Sequence, residues 1–531
     1  MNIVAITIVA IAVCSGLARS QAVAAPADDW QLTLRSRVAT SPGSVRFHTQ
    51  LAPESWQPQQ TAIIVCDMWD SHHSPNAVDR VNELVPHVEA FVKVARSSGA
   101  AVIHAPSDCM TFYEEHPARR RAQQVPLAAH FPDGIDRWCT QIPSEEVGVY
   151  PIDQADGGED DDPERHAAWA AKNEQAGRNP RLPWLRQHPG ISIDPQLDYV
   201  TDKGPEVWSI LEHRGIKNVI LVGVHVNMCV LGRPFGLRNM VTAGKRTVLV
   251  RDLTDSMYNP ASWPYVNHHT GTDLIVQHIE KFVCPTITSD QIVGGQPFRF
   301  SSDRRTRLAI LVAEPEYETA RTLPRFAAEH LGKDFQVEFI HGSETDAADF
   351  PSLHLLSSAD AALLSVRRRA LRPEQMSVMR AFVKSGKPLI GIRTASHPFH
   401  PRPIASENGL GLEEWPEFDA DVWGGNYAGH HGVAQLPRIT TKEEDRSHPV
   451  LSGETLDFSS TGSLYKTSPL RVGTTPVLWG QIPGEKAEPV AWTFVRPEGG
   501  RSFYTSLGHV GDFEQPGFQR LLLRGIKWAT E

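Results

Sequence analysis

Short, unbroken runs of apolar and β-branched residues recur along this chain, each followed by a stretch with helical periodicity. That alternation restricts the fold more than any other feature. Thr61-Ala-Ile-Ile-Val-Cys66 is the first run. A run without polar alternation belongs to a strand covered on both faces, as in the middle of a parallel sheet. Val81, Leu84, Val85, Val88, Phe91 and Val92 then recur at helical spacing. Strands are expected at Ala100 to His104, Asn218 to Gly223 and Thr247 to Arg251, with a helix over Pro205 to His213. The alternation resumes near Arg307. Strands are expected at Leu308 to Val312, Ala361 to Ser365 and Pro388 to Ile392, and helices at Thr319 to Leu331 and Glu374 to Ser385. This order predicts an α/β protein of two doubly wound, three-layer αβα domains with mainly parallel sheets. Functional residues are then expected at the carboxyl ends of the strands.

A length of 531 residues accommodates two or three domains. The expected division is a signal peptide over 1–24, a first domain over 45–290, a Gly- and Ser-containing linker over 291–305 and a second domain over 306–531. Ile3 to Val13 is apolar but too short to span a bilayer, and Ala22-Val23-Ala24 fits a cleavage site. Export to the periplasm or the exterior is expected, with an uncleaved or lipid anchor, the latter at Cys14, or a cytoplasmic start as alternatives. The net charge of −10 argues against a nucleic-acid partner. Six cysteines are too few for a disulfide scaffold. Cys109 to Gly190 is long, polar and Pro-rich, and is expected to shape a pocket. Its acidic run Gly158-Glu-Asp-Asp-Asp-Pro163 is expected to face solvent, with calcium binding as the alternative.

Three residues of the first half stand where chemistry is expected. Asp67 directly follows the strand Ala62 to Cys66, so its carboxylate would project from the rim of the sheet. Lys203 lies in Asp198-Tyr-Val-Thr-Asp-Lys203, just ahead of a helix. Cys229 lies in Leu221-Val-Gly-Val-His-Val-Asn-Met-Cys-Val230, where a buried strand breaks into a turn. A thiol is a weak nucleophile until deprotonated, and a carboxylate base, an ammonium group and a helix N-terminus together supply that. The structural alternatives are a core thiol at Cys229 and an ordinary surface lysine at Lys203.

Ile63-Ile-Val-Cys-Asp-Met68, Gly99-Ala-Ala-Val-Ile-His104 and Gly223-Val-His-Val-Asn-Met-Cys-Val230, with Asp252 in Val250-Arg-Asp252, resemble the isochorismatase-like cysteine hydrolases. This is the superfamily of nicotinamidases and N-carbamoyl amidohydrolases, and the resemblance covers residues 61–285. It implies Asp67 as general base, Cys229 as nucleophile and Lys203 as the third member, with no cofactor required. It also implies a cis peptide bond between Val224 and His225, with the backbone N–H groups of His225 and Cys229 facing a developing oxyanion. The family's aromatic and Ser stretch after the lysine is missing, because Gly204-Pro205 leads straight into the helix. His72, His104 and Arg233 are candidates for substrate binding, as is Arg238. Asp70, His72, His73 and His104 could alternatively hold a metal, which stays open.

Gly386-Lys-Pro-Leu-Ile-Gly-Ile-Arg393, Trp423-Gly-Gly-Asn-Tyr-Ala-Gly-His-His431, His448-Pro-Val-Leu-Ser-Gly453 and Thr505-Ser-Leu-Gly-His-Val510 resemble the ThuA-like domain of trehalose utilisation. That domain is related in fold to class I glutamine amidotransferases, and the resemblance covers residues 307–531. Arg393 stands where those enzymes carry a nucleophilic cysteine, which rules against ammonia transfer from glutamine. His509 occupies the position of their histidine, and His397, His430 and His431 could approach it. His430 and His509 are therefore candidates for binding a sugar or polyol, the alternatives being a second activity or a purely structural role.

The expected function is an exported hydrolase of an amide or ureido bond in a small molecule, with an accessory domain for a carbohydrate. The alternative is a carbohydrate-utilisation protein that keeps the hydrolase fold as a scaffold. A homo-oligomer is compatible with the sequence; a membrane span is not expected. The short linker predicts docked domains with separate sites.

Overall fold

The computed structural model describes residues 28–402 and 411–531. The expected signal peptide lies outside the described residues. Strands β1 (Trp30–Ala39), β2 (Phe47–Trp56), β3 (Thr61–Cys66), β4 (Ala101–Ala105), β5 (Tyr199–Val200), β6 (Asn218–Val224), β7 (Arg246–Asp255) and β8 (Thr286–Ile287) form one sheet, ordered β2-β1-β8-β7-β6-β3-β4-β5. From β8 to β5 every neighbouring pair is parallel. β3 and β6 are central and buried along their whole length, which is why their sequences show no polar alternation.

The helix Pro75–Ser97 opens with Ser74 accepting a hydrogen bond from the Ala77 N–H and with Pro75 in the first turn, where no N–H is needed. Its Leu84, Val88, Phe91 and Val92 pack with Ile63, Val65 and Ile220 on one face of the sheet. Ile64, Ile103 and Leu221 face the other way, under the helices Gly204–His213 and His268–Phe282. Layering of helix, sheet and helix follows directly. Of the hairpin β1–β2, β1 lies ahead of the expected domain start at 45 and β2 lies within it. Trp30, Leu32 and Leu34 alternate with exposed residues, so one face of β1 joins the core.

The second sheet contains β9 (Thr306–Ala313), β10 (Phe335–His341), β11 (Ala361–Val366), β12 (Leu389–Ile392), β13 (Arg438–Thr440), β14 (Asp457–Ser459), β15 (Thr474–Gln481), β16 (Glu488–Val495) and β17 (Arg501–Thr505). Its order is β10-β9-β11-β12-β17-β16-β15-β13-β14. β10 through β17 are mutually parallel, and an antiparallel extension continues from β17 to β14. Helices Thr319–His330 and Pro516–Thr530 cover one face and Pro373–Lys384 the other. The molecule is thus built from two α/β domains.

Residues of the linker do not hang free. Phe298 and Phe300 pack on the first core, and the Phe298 N–H donates to Asp252 at 2.9 Å. The domains are docked through charge and backbone. Arg37 Nη2 donates to both Glu338 oxygens at 2.8 Å. The Thr49 N–H donates to Ser352 Oγ at 2.8 Å, and the Asn267 N–H to the Gly332 carbonyl at 3.0 Å. Among the described residues no helix is long and apolar enough to cross a membrane.

Candidate active site

Asp67 and Cys229 meet at the carboxyl ends of the adjacent parallel strands β3 and β6. Gly223 makes this approach feasible: its φ is +112°, and a Cβ there would lie 2.0 Å from the Cys66 carbonyl oxygen. Asp67 itself adopts a φ of 48° and is fully buried. Its Oδ1 accepts the Ser107 N–H at 2.7 Å and its Oδ2 accepts Arg233 Nε at 3.1 Å. The Cys229 thiol lies close enough to this carboxylate for each to shift the other's titration. Burial pushes the Asp67 carboxyl up, opposed by Arg233, the Cys229 thiol and the Ser107 N–H. Burial and the Asp67 charge both push the thiol up. Both influences favour the neutral thiol over a free thiolate.

The cation beside Asp67 is Arg233, held near the Trp138 ring at 5.6 Å. Burial disfavours its charge, but Asp67 keeps its pKa above the usual guanidinium value. Lys203 is exposed and immediately precedes the helix Gly204–His213; its charge acts on Glu206. Gly204-Pro205 places Lys203 at the helix start, and the ion pair recorded for Asp67 is with Arg233.

The Val224–His225 bond is cis. The Met228 and Val230 N–H groups donate to the His225 carbonyl at 3.0 and 3.2 Å, and the Cys229 N–H between them has no backbone acceptor among the described residues. A cavity of about 10 Å³ beside Asp67 is bordered by Ser71, His72 and His225, room for about one water. His225 Nε2 is buried without a partner among the described residues, and burial lowers this imidazole to about 3.

His72 lies in the wall, its ring 5.6 Å from Trp184 and 5.0 Å from His225, and burial keeps it neutral. His104 does not reach the site: its ring nitrogens contact Gln187 at 2.9 Å and Asp198 at 3.0 Å. Asp70 holds the Leu185 N–H at 3.0 Å and Arg178 at 3.1 Å, so it anchors the insertion. Arg238 is paired bidentately with Glu145 at 2.7 and 2.8 Å. His73 contacts Glu159 at 3.1 Å. Among the described residues no three His, Cys, Asp or Glu side chains converge as a metal site.

The acidic run corrects an expectation in part: Glu159 and Asp162 are exposed as expected, but Asp160 and Asp161 are half-buried and all four carboxylates are engaged in protein contacts. Asp160 grips Arg80 at 2.8 Å, Asp161 accepts the Asn76 N–H at 2.8 Å, and Asp162 caps the helix Pro163–Gln175. The insertion folds back on the start of the helix Pro75–Ser97, where orphan N–H groups attract carboxylates.

In the second domain Arg393 sits at the turn after β12 with a φ of 42°. Its Nη1 donates to the Ser506 carbonyl at 2.9 Å, and its guanidinium lies 4.4 Å from the Tyr317 ring and 4.8 Å from that of Tyr465. Rings continue outward on both sides. His509 lies 5.6 Å from Tyr317; Tyr427 lies 4.7 Å from Tyr465, and His397 4.7 Å from Tyr427. His509 Nδ1 contacts Thr461 Oγ1 at 2.8 Å. His430 is exposed, its ring 6.5 Å from Tyr465, and His431 contributes a carbonyl to His430 Nδ1 at 2.9 Å. Thus His397 and His430 connect to His509 through tyrosines that sequence reasoning did not single out.

No curated protein is detectably similar to the chain in sequence. Among solved structures, a ThuA-like protein from Bacteroides uniformis is 14% identical, covering 44% of this chain and 95% of its own at a TM-score of 0.33. A cysteine hydrolase from Pseudomonas syringae is 15% identical over 44% of this chain and 92% of its own, with a TM-score of 0.27. An isochorismatase family protein from Desulfovibrio vulgaris is 14% identical over 43% and 94%, with a TM-score of 0.25. Residues 311–529 match the family model ThuA, trehalose utilisation, and this part of the chain is a ThuA-like domain.

Proposed function

We propose that the first domain is a cysteine hydrolase acting on an amide or ureido C–N bond of a small molecule. The observation that carries this reading is the Cys229 thiol against the buried Asp67 carboxylate, with Arg233 as its cation. Sγ attacks the carbonyl carbon as Asp67 takes the thiol proton, and the Cys229 and His225 N–H groups receive the oxyanion. The proton passes to the leaving nitrogen, ammonia or an amine departs, and Asp67 then activates water to release the acyl group from sulfur. The one-water cavity beside Asp67 suits that second step. Arg233 takes the electrostatic role expected of Lys203. The row of rings around Arg393 suits a polyol in the accessory domain, and an exported location completes the reading.

The scaffold alternative draws on one observation: the cavity beside Asp67 is water-sized, so a substrate must displace part of the aromatic wall. Ammonia release from a panel of amides and N-carbamoyl amino acids tests both. Cys229→Ala in the full chain should lower turnover by about 10³-fold or more. Undiminished hydrolysis by that variant refutes the mechanism. A wild-type protein that hydrolyses none of the panel yet binds sugars supports the scaffold.

A further inference from the structure

A cavity lies between the domains, away from Asp67 and Cys229. It measures about 480 Å³, within the range of small-molecule sites, and is walled by Arg35 of β1, Arg251 of β7, the linker, and Gln336 of β10. Two guanidinium groups enter it with unused capacity. Arg251 makes one hydrogen bond among the described residues, to Thr286 Oγ1 at 3.2 Å. Arg35 commits Nε to Glu280 Oε1 at 2.7 Å.

The nearby carboxylates Glu280, Asp252 and Glu338 act on Arg251 through space but make no hydrogen bond to it among the described residues, being held by other donors. Glu280 also receives Thr286 Oγ1 at 2.6 Å and Arg37 Nε at 2.9 Å. Asp252 is held by the Ser289 N–H at 2.8 Å, Ser289 Oγ at 2.6 Å and the Phe298 N–H at 2.9 Å. The other acids of the wall are paired too: Glu338 with Arg37, and Asp273 and Asp303 with Arg305. Burial and the like charge of Arg35 lower Arg251 to about 9. A group that accepts hydrogen bonds from both guanidinium forks would relieve this repulsion. Carboxylate and phosphate fit such forks best.

We infer that this interdomain cavity binds a small hydroxylated anion, a polyol bearing a carboxylate or phosphate, with its charged group on Arg35 and Arg251. Thr288, Gln296 and Gln336 offer hydroxyl and amide groups to the polyol body. The site is independent of the proposed hydrolase chemistry.

Isothermal titration calorimetry of the full chain at pH 7 tests it, with D-gluconate, glucose 6-phosphate and glucose as probes. At least one of the two anions should bind saturably with one site per chain, and which one does so distinguishes carboxylate from phosphate. Glucose should bind at least tenfold more weakly than that anion. Arg251→Gln should weaken anion binding at least tenfold. Gln296→Trp, made from an exposed linker position, should fill the cavity and abolish it. Cys229→Ala should bind as wild type does, separating this site from the hydrolase reading. Absence of binding by both anions, equal binding of glucose, or wild-type affinity in both cavity variants overturns the inference.

Discussion

Replacing Arg233 by Gln isolates the electrostatic half of the proposed mechanism. Arg233 Nε lies 3.1 Å from Asp67 Oδ2, and the carboxylate is fully buried. At an effective dielectric constant of about 20, unit charges at that separation interact by about 5 kcal/mol. The Arg233 side chain is 21% exposed, so solvent reduces this to about 3 kcal/mol. That corresponds to about 2 pH units on Asp67, whose carboxyl burial already raises. The base then protonates before it can accept the thiol proton. The acid limb of the kcat/KM profile should move up by about 2 pH units in Arg233→Gln, and Arg233→Lys should return part of the shift. The assay is hydrolysis of an amide substrate from pH 5 to 9, with circular dichroism confirming the fold. An acid limb that stays at its wild-type position refutes the assignment of Arg233.

Two further outcomes follow from the surroundings of the nucleophile. His268 Nε2 contacts Asp255 Oδ1 at 2.9 Å; against the cost of burial, Asp255 raises the imidazole from 6.5 to about 9. Its folded pKa exceeds its unfolded one, so it contributes about 3 kcal/mol below pH 6.5 that is lost as pH rises through about 9. The Tm difference between wild type and His268→Gln should narrow across that window, and a pH-independent difference contradicts it. Gly223→Ala would drive a Cβ to 2.0 Å from the Cys66 carbonyl oxygen at a φ of +112°. Urea unfolding should register a loss of about 3 kcal/mol or more, and wild-type stability would exclude the close approach of β3 and β6.

The parallel core was legible because β3, β6, β9 and β11 are covered on both faces and carry near-unbroken apolar runs. The hairpin β1–β2 left a weaker trace, Trp30-Leu32-Leu34, beside a β2 strand interrupted by Pro53. Strands of three residues, such as Arg438–Thr440 and Asp457–Ser459, are too short to show a period, so the antiparallel extension went unread. Asp67 and Cys229 were readable because each follows the carboxyl end of an apolar run, and the two runs are neighbours in the sheet. Arg233 and Lys203 could not be ranked from sequence, since which cation reaches Asp67 depends on how the nucleophile turn and the insertion pack. Position alone offered one hint: Arg233 follows Cys229 by a single turn and donates its N–H to the Cys229 carbonyl at 3.0 Å. Tyr317 and Tyr465 are far apart in sequence and come together only on Arg393.

The central claim is that Cys229 becomes covalently bound to the carbonyl carbon of the substrate. Acid quenching during turnover of an amide from the panel, followed by proteolysis and mass spectrometry, tests it most directly. An acyl adduct on the peptide carrying Cys229, absent in Cys229→Ala and also in Asp67→Asn, which lacks the base that takes the thiol proton, is the predicted result. Turnover with no adduct, or an adduct on Cys66, Cys109 or Cys139 instead, would contradict the account.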